Sequence, residues 1–201
     1  MSSDRLPPDL LPATALHDAV VLAGGRGSRM GGPHKPGVVV AGRRLLDHAL
    51  AAAAGAARIV VVGDVEVPPG VLLTREEPAF GGPVAGLEAG LRALAEGGRC
   101  AEWTLVLASD LPDAEAAVSE LLAVDPGGHD GVCLLDADGR LQWLLGCYRT
   151  GVLADRLARR GDLTAMYRLL EPLDLLGVTP ARASVADVDT AAEAAAWEGR
   201  P

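Results

Sequence analysis

Hydrophobic residues along this chain come in short runs separated by Gly, Pro and charged residues. Ala19-Val20-Val21-Leu22-Ala23 is apolar at every position, the pattern of a parallel strand covered on both faces. Arg58-Ile59-Val60-Val61-Val62-Gly63, Val71-Leu72-Leu73-Thr74 and the run 103–108 repeat it. Between and after these runs, Ala and Leu recur at helical spacing among charges. That predicts helices over 43–57, 84–95, 114–123, 151–159, 163–169 and 190–197. Residues 131–135 and 141–148 read as two strands joined by Asp136-Ala137-Asp138-Gly139, whose Asp-Gly end suits a tight turn. Val178 falls in a late short strand.

Strands alternating with helices predict an α/β fold with a mostly parallel sheet, and the 131–148 hairpin predicts an antiparallel addition. The length of 201 residues fits one domain over 17–201. Residues 1–16, interrupted by Pro7, Pro8 and Pro12, read as a flexible extension.

Composition narrows the function. A net charge of −9 argues against a nucleic-acid partner, which a basic field would attract. No run approaches the roughly 20 apolar residues of a membrane span, and the N-terminus lacks the basic start and apolar middle of a signal peptide. A cytoplasmic location is expected. Cys100, Cys133 and Cys147 are well separated, with no CxxC or His/Cys cluster, so they read as reduced thiols.

The chemistry concentrates after the first strand, in Leu22-Ala23-Gly24-Gly25-Arg26-Gly27-Ser28-Arg29-Met30-Gly31-Gly32-Pro33-His34-Lys35-Pro36. Glycines let backbone N–H groups approach a ligand, because no Cβ intervenes. Arg26 and Arg29 carry guanidinium forks suited to phosphate oxygens, and Lys35 adds a point charge. The string is not a dinucleotide fingerprint, since Met30 stands at the third glycine position. It is not a Walker A loop either, since Lys35 is followed by Pro36. The residue types point to a polyanionic nucleotide at the carboxyl end of a strand.

A second Gly loop, Phe80-Gly81-Gly82-Pro83-Val84-Ala85-Gly86-Leu87, leads into a helix whose first turn offers unpaired N–H groups. Asp110 follows a buried strand and precedes Leu111-Pro112, where one carboxylate can hold Mg²⁺ or simply cap a turn. Asp187-Val188-Asp189-Thr190 precedes the last helix, so Asp189 or Thr190 can serve as its N-cap.

Leu-Ala-Gly-Gly-x-Gly-x-Arg-Met-Gly-Gly-x-x-Lys resembles the signature of nucleotidyltransferases with the nucleoside-diphosphate-sugar-transferase fold, and among them the molybdenum cofactor guanylyltransferases. The resemblance spans about residues 18–198. It implies a Rossmann-like three-layer architecture and transfer of GMP from GTP to the phosphate of molybdopterin, with release of pyrophosphate and dependence on Mg²⁺. It implies nucleotide contact by Leu22, Ala23, Gly24, Gly25, Arg26, Gly27, Lys35, Gly82, Pro83 and Asp110. Arg29 and Lys35 then serve the triphosphate, and Asp110 the metal, with Asp189 favoured over Asp187 as a second ligand. The family often has an Asp upstream of the second loop, where Glu76 and Glu77 stand here. Gly24 favours guanine, since related cytidylyltransferases usually have Leu-Ala-Ala-Gly. Residues 139–148 resemble a family strand near the pterin side, whose usual residues Gln142 fits and Trp143 does not, so that Trp143 is either a stacking surface or an ordinary packed aromatic. The resemblance leaves room for a partner in molybdoenzyme maturation. Three other readings stay open: cytidylyl transfer, a sugar-phosphate acceptor, and a nucleotide-binding regulatory protein without turnover.

Overall fold

The computed structural model describes residues 16–24, 37–77, 81–183, 185–188 and 191–197. The strands are β1 (His17–Leu22), β2 (Val39–Val40), β3 (Arg43–Arg44), β4 (Ile59–Val62), β5 (Leu72–Thr74), β6 (Trp103–Ala108), β7 (Gly131–Leu135), β8 (Leu141–Arg149) and β9 (Leu175–Val178). The helices are α1 (Leu45–Ala52), α2 (Gly82–Glu96), α3 (Ala114–Leu122), α4 (Thr150–Ala158), α5 (Met166–Leu170) and α6 (Ala191–Trp197). Among the described residues no helix is long and apolar enough to cross a membrane.

Seven strands form one sheet in the order β5-β4-β1-β6-β8-β7-β9. β1, β4, β5 and β6 pair in parallel, and β7 with β9 likewise. The predicted hairpin is present, but it lies inside the sheet: β8 runs antiparallel to both β6 and β7.

The all-apolar runs have a simple cause. Side chains of a strand alternate between faces, and both faces of this sheet are covered. Ala19 and Val21 join a core shared with α1 and α3, whereas Val20 and Leu22 join a second core shared with α2, α4 and α5. The result is a three-layer α/β/α arrangement, as expected. A small third cluster of Val40, Leu45 and Val188 receives Trp197 of α6.

Two segments depart from the sequence reading, and in one of them the helix expected over 163–169 begins only at Met166. In the other, the helix expected over 43–57 is Leu45–Ala52: Arg43 and Arg44 instead pair with Val40 and Val39 as β2–β3, and residues 53–57 form turns after it. Ala41 and Gly42 both take positive φ, 50° and 76°, the geometry of a two-residue hairpin turn. Arg44 then grips both carboxylate oxygens of Asp47 at 2.7 and 2.9 Å in the first turn of α1.

From β1 the chain crosses to β4 on one side and later returns to β6 on the other. The point where strand order reverses lies between β1 and β6, and the carboxyl ends at such a point are where open α/β sheets bind ligands. α2 is aimed at the same edge. Two of its glycines let it lie close on the sheet: a Cβ on Gly90 would stand 2.6 Å from Val20 Cγ1, and one on Gly86 would stand 3.2 Å from Leu22 Cδ2. Gly86 lies over Leu22 and Gly90 over Val20, so α2 runs opposite to β1. Its N-terminus therefore reaches the carboxyl edge.

Candidate active site

At that edge, hydrogen bonds fasten three strand ends together. The N–H of Ser109 donates to the Leu22 carbonyl at 3.1 Å, and the N–H of Ala23 donates to the Val62 carbonyl at 2.9 Å. Leu22 and Ala23 bury their side chains in the two cores, so they offer main chain to the edge. Gly24 is exposed beyond them. Gly63 packs so close that a Cβ on it would stand 2.7 Å from the Ala23 carbonyl oxygen. The sequence reading took Gly63 only as a strand end, because its neighbour Ala23 is 40 positions away.

The second loop arrives beside the first. Gly82 has φ 84° and opens α2, with Pro83 in the first turn. The 15 residues of α2 give this end unpaired N–H groups and a partial positive charge, suited to an anion. Glu76, following β5, is the nearer of the two acids left open by the sequence: its Oε1 lies 3.8 Å from where a Cβ on Gly24 would stand.

Asp110 links this turn to a cleft on the β8 side. The cleft has a volume of about 460 Å³ and is lined by Asp110, Gln142, Trp143, Met166, Tyr167 and Asp187 among others. The N–H of Val188 donates to the Asp110 carbonyl at 3.0 Å, which brings the neighbouring Asp187 to the cleft. Asp187, passed over in favour of Asp189, thus shares a cleft with Asp110, whereas Asp189 lies outside the described residues. So do Gly25, Arg26, Gly27, Arg29 and Lys35. Met166 and Tyr167 were missed, since α5 looks like any short amphipathic segment. Gln142 and Trp143 lie where the hairpin strand enters the cleft. The Gln142 Nε2 donates to Asp136 at 2.9 Å. The N–H of Arg140, and then that of Asp138, hold the Asp136 carboxyl below the usual carboxylate range.

Two carboxylates on one cleft fit a hard divalent cation. Magnesium takes oxygen ligands, and one or two carboxylates with water and phosphate oxygens complete its shell. The donor chemistry of Asp110 and Asp187 suits that ion.

The profile of the family described as "MobA-like NTP transferase domain" matches residues 19–177. The molybdenum cofactor guanylyltransferase of Acidiphilium cryptum is 33% identical over 158 residues, covering 75% of this chain and 76% of that protein. The protein of the same name from Serratia proteamaculans is 30% identical over 112 residues, covering 51% of this chain and 53% of that protein. Among solved structures, molybdopterin-guanine dinucleotide biosynthesis protein A of Archaeoglobus fulgidus superposes with a TM-score of 0.67 at 20% identity, covering 90% of this chain and 96% of that one. The 2-C-methyl-D-erythritol 4-phosphate cytidylyltransferase of Thermus thermophilus has a TM-score of 0.64 at 18% identity, covering 91% and 98%. These two structural likenesses concern the fold.

Proposed function

The chain belongs to the family of MobA-like NTP transferases and is a nucleotidyltransferase, and from that premise we propose that it moves GMP from GTP to the terminal phosphate of a molybdopterin-type acceptor. One observation carries the reading. Asp110 stands between the Leu22–Gly24 turn, to which the Ser109–Leu22 bond ties its strand, and an aromatic-lined cleft that also holds Asp187.

The nucleotide lies along the Leu22–Gly24 turn and the N-terminus of α2. Backbone N–H groups freed by glycine, including those of Gly25 and Gly27, meet its phosphates. Arg26, Arg29 and Lys35 hold the triphosphate. Gly82 and Pro83 bring the α2 N-terminus against the nucleotide, and Glu76 accepts hydrogen bonds from ribose or base near Gly24. The acceptor enters from the Trp143 and Tyr167 side. An oxygen of its phosphate attacks the α-phosphorus of GTP in line. A new P–O–P bond forms, the bond between the α-phosphorus and the bridging oxygen to the β-phosphate breaks, and that oxygen departs with pyrophosphate. No covalent help from a side chain is required, since positioning and charge stabilisation dominate phosphoryl-group chemistry. Asp110 and Asp187 would hold magnesium, with Asp189 a further candidate. When bound, the ion supplies positive charge to the phosphate oxygens.

Pyrophosphate release with GTP, Mg²⁺ and molybdopterin tests the reading. Acceptor-dependent release is expected. Preference for CTP over GTP would overturn the guanylyl assignment, and tight GTP binding without release would make the protein a binder.

A further inference from the structure

Strand β8 loses its register where it enters the cleft. Cys133 of β7 faces Gly146, but Leu135, two residues on, faces Leu141. Over this stretch β8 therefore uses three more residues than β7. Gln142, Trp143 and Leu144 have no partner in the register of either β6 or β7. A bulge of this kind re-aims side chains, and here it turns Gln142 and Trp143 to the cleft that holds Asp110.

A bulge also strips main-chain carbonyls of their sheet partners, and buried carbonyls need donors. Two buried side chains supply them. The Tyr148 hydroxyl donates to the Trp143 carbonyl at 2.8 Å, and the Cys133 thiol donates to the Gln142 carbonyl at 3.1 Å. The hydroxyl and the sulfur also touch, at 3.6 Å. The protons can be assigned. Each carbonyl only accepts, so Tyr148 and Cys133 each spend one proton on one carbonyl. Both groups keep those protons at neutral pH, because burial pushes the Cys133 thiol up to about 11 and raises the Tyr148 phenol as well. Tyr148 is fully buried, and its ring lies back over Gly146, where a Cβ would stand 2.5 Å from the hydroxyl. Gly146 is the space that lets the ring reach Trp143.

We propose that Tyr148 and Cys133 are positioning residues that hold a built bulge, whose purpose is to present the Trp143 indole as a stacking platform for the flat heterocycle of the acceptor. The inference rests on the proposed acceptor and adds the residue that recognises its ring. An indole half-buried against the core and open to a cleft offers a rigid aromatic face. The Tyr148 hydroxyl works from beneath, touching no substrate.

The test uses the full chain with GTP, Mg²⁺ and molybdopterin, reading pyrophosphate release as each substrate is varied. Trp143→Ala raises the KM for molybdopterin by about tenfold, while Trp143→Phe stays within about threefold of wild type, the difference an aromatic contact makes. Tyr148→Phe and Cys133→Ala raise the same KM by about three- to tenfold, each losing one carbonyl partner. In all four variants the KM for GTP and the kcat at saturating acceptor stay within about twofold of wild type. If Tyr148→Phe does not fold, Cys133→Ala carries the positioning test. An unchanged molybdopterin KM in Trp143→Ala, or in both Tyr148→Phe and Cys133→Ala, overturns the inference. An equal rise in both substrates' KM overturns it too, since a merely structural role does that. A wild-type chain that never releases pyrophosphate brings down the proposed activity itself and this inference with it.

Discussion

The backbone N–H of Val188 donates to the carbonyl oxygen of Asp110 at 3.0 Å, fastening the loop before the last helix to the end of a central strand. Val188 itself is buried with Val40 and Leu45, so the loop is anchored on both sides. The bond and the buried side chain together hold Asp187 at the cleft that Asp110 also lines.

Asp110→Ala is expected to lower transfer by about 10³-fold or more, the scale of losing a charge-stabilising element, with an unchanged unfolding temperature. Asp187→Asn is expected to raise the Mg²⁺ concentration for half-maximal rate by at least about tenfold. A magnesium titration of initial rates reads both. Wild-type magnesium dependence in Asp187→Asn would return the second ligand to Asp189.

The two glycines at the nucleotide turn should behave differently. Gly24 is exposed, and among the described residues a Cβ there would meet Glu76 at 3.8 Å, an ordinary contact. Gly24→Ala is expected to fold normally and to reduce the preference for GTP over CTP. Gly63→Ala must push back the Ala23 carbonyl, so it is expected to cost about 1–3 kcal/mol of stability and to raise the KM for GTP. Urea unfolding and paired GTP and CTP kinetics separate these outcomes.

Far from the cleft, Asp18 is 1% exposed and accepts from Arg58 Nε and Nη2 at 3.1 and 2.7 Å and from the Ala101 N–H at 2.9 Å. Arg58 also donates to the Leu94 carbonyl at 2.7 Å. Removing one partner of such a pair leaves the other uncompensated. Asp18→Ala is therefore expected to cost about 3 kcal/mol in urea unfolding. Turnover per folded molecule should not change, and a loss of kcat would place Asp18 in the chemistry.

Burial raises the Cys133 thiol from 9.0 to about 11 and the Cys147 thiol from 9.0 to about 12. The folded state binds these protons more tightly than the unfolded chain does. Their contribution to stability is thus fully present below pH 9 and lost as pH rises through the folded values. Unfolding free energy measured against pH should fall above about 9. At pH 8, iodoacetamide should label Cys100 first and reach Cys133 and Cys147 only after denaturation. Rapid native labelling of Cys133 would contradict its buried, donating state.

Several features were legible in the chain alone. The strands β1, β4 and β6 and the helices packed on them are written in local periodicity, because burial on both faces demands apolar runs and one-sided burial demands helical spacing. That Leu22–Gly24 turns off β1 and that Asp110 follows β6 was legible for a similar reason: each is a short string next to its own strand. The β2–β3 hairpin was hidden, since Ala41-Gly42 is a weak turn signal beside two arginines that suit a helix equally well. Tertiary structure alone decided the rest. It chose Glu76 as the acid beside Gly24, and it brought Asp187 to Asp110 through the Val188 bond across 78 positions. It also set Tyr148 beneath Trp143 through a three-residue slip between paired strands. Such relations depend on strand order and register, which arise when distant segments share a core, and no local pattern of residue types records them.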